Sequence, residues 1–225
     1  MEVCKPKAIE EKNKCKIRPG RLPLSVPKQP VMSFDVLSYI SGFVSLTPDE
    51  QKLLREQVQN ITCFPRQILT RLGEMEQQVY FVQKGLIRKY FYRDNEEVTV
   101  QLAQEGDLAS SSVSFLTGVP SDFVLETLEP CTLAFITKSS LDTLFNYSYN
   151  FEKMGRLIIL EWLLYKERWD ISRMVKTPGE RYRMFLQERP GMINRVPQKY
   201  IASLLDMKPE TLSRFKKLVT VADNN

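Results

Sequence analysis

VPQKYIASLLDMKPETLSRFKK, residues 196–217, is the stretch that decides how this chain is read. Ile201, Leu204 and Leu205 fall on one face at helical spacing, and Ala202 supplies a small side chain where a second helix could cross. Asp206 to Lys208 reads as a turn, and Pro209 suits the first position of a new helix because its missing N–H is not needed there. Leu212, Phe215 and Val219 would bury the inner face of that second helix. Glu210, Ser213, Arg214 and Lys217 line its outer face at i, i+3, i+4 and i+7. The pattern is a helix-turn-helix whose polar, basic face can enter a DNA major groove. There Arg pairs with guanine O6 and N7, and Glu accepts from cytosine N4. Pro209, Glu210, Ser213 and Arg214 are the expected base-contacting residues, and Lys199, Lys208, Lys216 and Lys217 the expected phosphate-contacting ones. A generic amphipathic hairpin would explain the buried face but not the charge on the other.

Working outward, the charge follows the same division. The net charge is +5, but residues 176–217 hold ten Lys/Arg against four Asp/Glu, and residues 1–31 hold eight against three. Residues 32–175 are acidic, with fourteen against nineteen. A basic end on an acidic body fits a nucleic-acid binder with a separate regulatory part. Just upstream, Thr177-Pro178-Gly179-Glu180 opens a helix that ends before Pro190. Before it, residues 149–175 form one long helix with two apolar stripes. Leu157, Leu160, Leu164, Ile171 and Met174 make the first; Ile158, Trp162, Tyr165 and Trp169 make the second. Two faces need two partners: the body of the protein and, for the first stripe, the same helix of a second copy. Burial of both faces within one protomer is the competing reading, since Glu167 interrupts the first stripe.

From 62 to 138 the apolar period becomes two. Val79–Val82, Leu86–Tyr92, Val98–Leu102 and Thr132–Thr137 read as strands, with turn chemistry at Arg93-Asp94-Asn95. Short, evenly spaced strands predict an antiparallel barrel or sandwich. Ahead of them lie helical spacing over 33–43 and a helix opened by Thr47-Pro48-Asp49-Glu50 and running to about Asn60. Residues 1–31, rich in Lys and Pro and without periodicity, read as a flexible basic arm, and Met32 offers an alternative translation start. The expected organisation is thus arm 1–31, β-barrel effector-type domain 32–148 with flanking helices, dimerisation helix 149–175, and helix-turn-helix domain 176–225. The fold class is α+β: an N-terminal antiparallel jelly-roll barrel followed by an all-α, winged-helix-like domain with a short or missing wing.

Several function classes fall away. There is no histidine, the commonest metal ligand and general base. No nucleophile–base pair, metal set or phosphate loop is legible, so no catalytic residues, no metal and no enzyme are expected. Cys4, Cys15, Cys63 and Cys131 lack zinc-knot or redox-pair spacing and read as reduced cytoplasmic thiols. No apolar run approaches the ~20 residues of a membrane span, and no secretory signal opens the chain.

These motifs resemble those of the Crp/Fnr family of transcription regulators. Tyr80 to Arg88 is similar to the family's barrel hairpin, Gly106-Asp107-Leu108 to its turn before the ligand loop, and Thr177-x-x-Glu180-Arg181 to the start of the helix after the dimer helix. Ile201-Ala202 through Glu210-Thr211-Leu212-Ser213-Arg214 is the strongest match. The resemblance implies a cytoplasmic homodimer on palindromic double-stranded DNA, with RNA polymerase as a further partner. It places the effector pocket at Ser110-Ser111, where cyclic-AMP-binding relatives hold ribose with Gly-Glu, and at Ser121-Asp122, where they hold phosphate with Arg-Ser or Arg-Thr. The Glu and the Arg are both missing, and Asp122 would repel a phosphate. Cyclic AMP is therefore not expected as effector, and no cofactor is assigned. The cysteines also lack the spacing of the family's iron–sulfur branch, while haem held by Met, Cys or a terminal amine stays open. Asp206 stands where relatives often have Gly, and Lys208 where they often have a Ser or Thr cap. The alternative function is a ligand-binding sensor of the cyclic-nucleotide type with a vestigial DNA-binding tail.

Overall fold

Local chemistry sets the first elements. The computed structural model describes residues 35–222, with side chains as far as Lys216; the basic arm, Lys217's side chain and that of Val219 lie outside the described residues. After α1 (Val36–Ser41) comes α2 (Pro48–Gln57). Thr47 accepts from the Glu50 N–H while the Glu50 carboxylate accepts from the Thr47 N–H, a reciprocal capping box. The helix stops at Gln57 rather than near Asn60, because Val58 is already extended and the β-branched Ile61 and Thr62 favour the strand that follows.

That strand is β1 (Gln59–Cys63), and seven more build two four-stranded antiparallel sheets: β2 (Ile68–Thr70), β3 (Gln78–Lys84), β4 (Ile87–Arg93), β5 (Glu96–Ala103), β6 (Leu108–Ala109), β7 (Val124–Thr127) and β8 (Cys131–Thr137). The sheet orders are β1-β8-β3-β6 and β2-β7-β4-β5, a jelly-roll sandwich as the sequence predicts. A short helix, α3 (Ser112–Thr117), sits between β6 and β7. The turn expected around Arg93–Asn95 is a two-residue hairpin: Asp94 and Asn95 have φ of 51° and 66°, and Arg93 pairs with Glu96. Gly85 joins β3 to β4 at φ 104°, where a Cβ would lie 2.5 Å from Cys131 Sγ and 2.8 Å from the Pro130 carbonyl oxygen; only glycine fits there.

Two helices follow the sheets: α4 (Lys138–Tyr147) and α5 (Tyr149–Val175), the latter of 27 residues. One core cluster binds Ile40, Leu54, Phe81, Ile136, Leu144 and Phe151, and so unites α1, α2, the β3/β8 sheet, α4 and α5. A second fills the sandwich around Val82, Ile87, Leu125 and Leu133. Glu50 does double duty at the first of these. Its carboxylate accepts from Ser148 Oγ at 2.5 Å and from Asn150 Nδ2 at 3.1 Å, fastening the start of α5 to α2. Burial pushes this carboxyl up, but those bonds outweigh it and leave it below the ordinary range.

The two stripes of α5 divide. Ile158 packs on the first core cluster and Trp169 on the C-terminal one, so the second stripe faces its own protomer. On the other side Leu160, Leu163, Ile171 and Met174 stand exposed, and Leu164 is half-buried. Leu157, expected in the outer stripe, instead packs against the first core cluster, and Leu163 joins the outer row. A helical step of about 100° per residue turns Leu157 toward the sheets and Leu163 away from them. After α5 come α6 (Pro178–Glu188), capped by a second Thr–Glu box at Thr177–Glu180, a 3-10 turn at Met192–Asn194, α7 (Gln198–Leu204) and α8 (Pro209–Ala222). Among the described residues no strand follows β8.

Candidate nucleic-acid interface

α7 and α8 cross over a sealed apolar centre: Ile201, Ala202, Leu205 and Leu212 are fully buried, and Leu204 nearly so. The turn between them is a Schellman motif. The Met207 N–H reaches the Ala202 carbonyl at 3.0 Å and the Asp206 N–H the Ser203 carbonyl at 3.1 Å, with Asp206 left-handed at φ 51°. Aspartate adopts this conformation more readily than most residues. Lys208 then opens α8 through its carbonyl, which accepts from the Thr211 and Leu212 N–H groups. Tyr182 of α6 stacks on Phe215 at 6.1 Å.

The expected contact residues come out on the surface. Pro209, Glu210 and Arg214 are exposed at the start of α8 and Ser213 is half-buried beside them; Lys199 and Lys208 are exposed and Lys216 half-buried. Lys199 lies over its neighbour Tyr200, with Nζ 4.9 Å from the ring centre.

A residue absent from the expected site holds this unit in shape. Arg181, only 6% exposed, donates Nε to the Leu205 carbonyl at 2.8 Å and Nη2 to the Asp206 carbonyl at 3.0 Å. Its Nη1 reaches the Lys176 and Arg173 carbonyls at 2.7 and 3.3 Å. One guanidinium thus ties the turn between α7 and α8 to the last turn of α5. The signal was present, since an arginine one residue after a capping box lies on the first turn of the helix, but its inward direction depends on tertiary packing.

The expected effector pocket is only partly assembled. Ser110, Ser111 and Ser121 are buried; Ser121 Oγ donates to Ser111 Oγ at 2.7 Å, while Ser110 Oγ donates to the Gln78 carbonyl at 3.1 Å. Asp122 does not join them; its side chain is exposed, so the expected repulsion acts outside the cassette. The buried carboxylate is Glu76. Its Oε2 accepts from Thr70 Oγ1 at 2.6 Å and from the Ser111 N–H at 3.3 Å, and its Oε1 from the Gln78 N–H at 3.1 Å. A buried cation is there too: Lys89 Nζ donates to the Ser110 carbonyl at 2.9 Å and lies 4.3 Å from the Phe123 ring centre. Burial, reinforced by Lys166 and opposed by Glu76, pushes this ammonium down to about 8. Both charged groups were missed. Strand alternation held the clue for Lys89, because consecutive Arg88 and Lys89 must point to opposite faces of β4.

Arg88 takes the outer face and meets the C-terminal helices. Its guanidinium lies 3.6 Å from the Tyr200 ring centre and 4.1 Å from that of Tyr90, and Nη1 bonds Glu97 at 2.7 Å and Glu126 at 3.0 Å. Among the described residues no group of three or more His, Cys, Asp or Glu is placed to hold a metal, and no helix is long and apolar enough to cross a membrane.

Residues 63–148 match the family model of the cyclic nucleotide-binding domain. No curated protein matches in sequence. Solved structures match over most of the chain. FixK2 from Bradyrhizobium japonicum is 19% identical with a TM-score of 0.62, covering 74% of this chain and 86% of its own. A protein of the crp/fnr family from Eubacterium rectale is 16% identical with a TM-score of 0.61, covering 79% and 85%. CLP from Xanthomonas campestris, described as a c-di-GMP responsive global regulator, is 17% identical with a TM-score of 0.59, covering 79% and 93%. Residues 63–148 are therefore similar to a cyclic nucleotide-binding domain. Over most of its length the chain shares the fold of these solved structures.

Proposed function

We propose that the chain is a sequence-specific, DNA-binding transcription regulator of the Crp/Fnr type that acts as a homodimer on a palindromic operator. The observation that carries this reading is the exposed row Pro209, Glu210 and Arg214 on the first turns of α8, held by a closed turn and flanked by exposed Lys199 and Lys208. Arg214 and Glu210 read base edges, and the lysines bind phosphates. The exposed Leu160, Leu163, Ile171 and Met174 of α5 pair with the same row of a second copy, which places one recognition helix over each half-site.

Cyclic AMP is not the effector. The cassette lacks the arginine that would pair with a cyclic phosphate, its buried cation Lys89 is held by the Ser110 carbonyl, and Ser111, Ser121 and Glu76 are committed to one another. The protein works in the cytoplasm, with RNA polymerase as a partner, and carries out no catalysis.

Selection of duplexes from a random pool with the wild-type protein, followed by titration of the winner at two salt concentrations, tests the proposal. A palindrome is expected, with Arg214→Ala losing about 1–3 kcal/mol of affinity. Absence of any enriched sequence, or equal binding by both proteins, overturns base reading and favours a sensor with a vestigial tail.

A further inference from the structure

The helix-turn-helix does not hang from α5 alone. Leu86 and Leu102 of the jelly roll share one buried cluster with Phe185, Ile201 and Leu204 of the C-terminal helices. The Thr99 N–H of β5 crosses this seam to Ser203 Oγ of α7 at 2.9 Å. Around the seam stand ion pairs between the two parts. Arg195 takes Glu105 in a two-pronged grip, Nη1 to Oε2 at 2.9 Å and Nη2 to Oε1 at 2.8 Å, and also bonds Glu129. Arg189 bonds Asp107 and Tyr165. Glu105 is itself anchored, accepting from the Gly85 N–H at 2.8 Å.

We propose that Arg189 and Arg195 are positioning residues for DNA reading: clamped to the acidic rim Glu105, Asp107 and Glu129, they fix the direction in which each protomer presents α8. The inference rests on the DNA-binding reading above and deepens it. The clamp is not a mask, because Lys199, Lys208, Glu210 and Arg214 stay exposed while it is closed. Its effect is on geometry. A two-pronged Arg–carboxylate pair fixes angle as well as distance. In a dimer the second half-site is bound intramolecularly, at an effective concentration that falls as the tether loosens. Binding to a lone half-site has no second step and does not feel the clamp.

The test compares wild-type protein with Arg195→Glu and with the conservative Arg195→Lys, which keeps a cation between Glu105 and Glu129. The probes are the selected palindrome and a duplex carrying one half-site. Amide exchange at Thr99, whose hydrogen bond spans the seam, reports the clamp without DNA. For Arg195→Glu the expected result is a tenfold or greater loss on the palindrome, at most a twofold loss on the half-site, and faster exchange at Thr99. Arg195→Lys retains most of all three. Arg195→Gln, neutral at a position one-third exposed, gives the same split if the reversed charge harms folding. Equal losses on both duplexes, or unchanged exchange with unchanged palindrome affinity, overturn the clamp. Wild-type protein that binds neither duplex overturns the DNA reading itself, and the clamp's role with it.

Discussion

Replacing Lys89 with Met asks what the buried ammonium beside Ser110 costs. Lys89 is 7% exposed, and burial holds its pKa near 8 against an ordinary 10.5. A folded-state pKa below the unfolded one means the unfolded chain binds more protons between those values. Wild-type stability therefore rises as pH climbs through that window. At neutral pH the buried charge costs on the order of 3 kcal/mol, since each unit is worth about 1.4 kcal/mol. Between pH 7 and 9.5 roughly 2 kcal/mol of that is relieved. Met carries no proton, so its stability lacks this component, and other titrating groups cancel in the difference. Removing the ammonium also leaves the Ser110 carbonyl without its donor, a loss of about 1–3 kcal/mol that does not depend on pH. Urea unfolding of both proteins at pH 7 and pH 9.5 reads the effect. Relative to wild type, Lys89→Met is about 2 kcal/mol more favourable at the lower pH. A difference that stays flat within ~0.5 kcal/mol would refute the reasoning and place the ammonium in contact with water.

Two further changes probe fold and assembly. Gly85→Ala must adopt φ 104° and press a methyl against Cys131 Sγ and the Pro130 carbonyl; a loss on the order of 3 kcal/mol is expected in urea unfolding, combining backbone strain with overpacking, and a loss below ~1 kcal/mol sinks the account. Leu163→Glu puts a charge on the exposed row of α5 while touching little in its own protomer. Sedimentation should show a monomer whose unfolding midpoint, extrapolated to low concentration, matches the wild type, whereas a persisting dimer shows that this row is not the interface.

The sequence made the C-terminal helices and the jelly roll legible because both rest on local pattern. Apolar spacing marked Ile201, Leu204 and Leu212, and alternation marked β3, β4, β5 and β8. The Thr47 and Thr177 boxes announced two helix starts to the residue. What stayed hidden depends on which elements meet. β1 and β7 are too short to show a period, and β1 presents only Cys63 to the core. Leu157, expected outward, packs on the core, and Leu163, in neither expected stripe, stands exposed, because the wheel alone does not say where the sheets lie. Spacing places Asp122 in the cassette beside Ser121, but adjacent residues of an extended segment point to opposite sides, and Ser121 turns in while Asp122 turns out. The bonds of Glu76, Lys89, Arg181 and Arg195 link residues up to 90 apart, and no local pattern encodes them.

The carboxylate of Glu50 bears on where this protein can be cut. The span that matches the cyclic nucleotide-binding family begins at residue 63 and ends at 148, yet Glu50 lies before it and Asn150 just after it. A fragment trimmed to the matched span would sever α2 and α5 from the core they share with Phe81 and Ile136, leaving one outer face of the β3/β8 sheet bare to water and prone to self-association. The unit recognised by sequence and the unit able to fold are therefore different lengths of chain. Expression of the jelly-roll half alone should start ahead of Val36 and run well into α5.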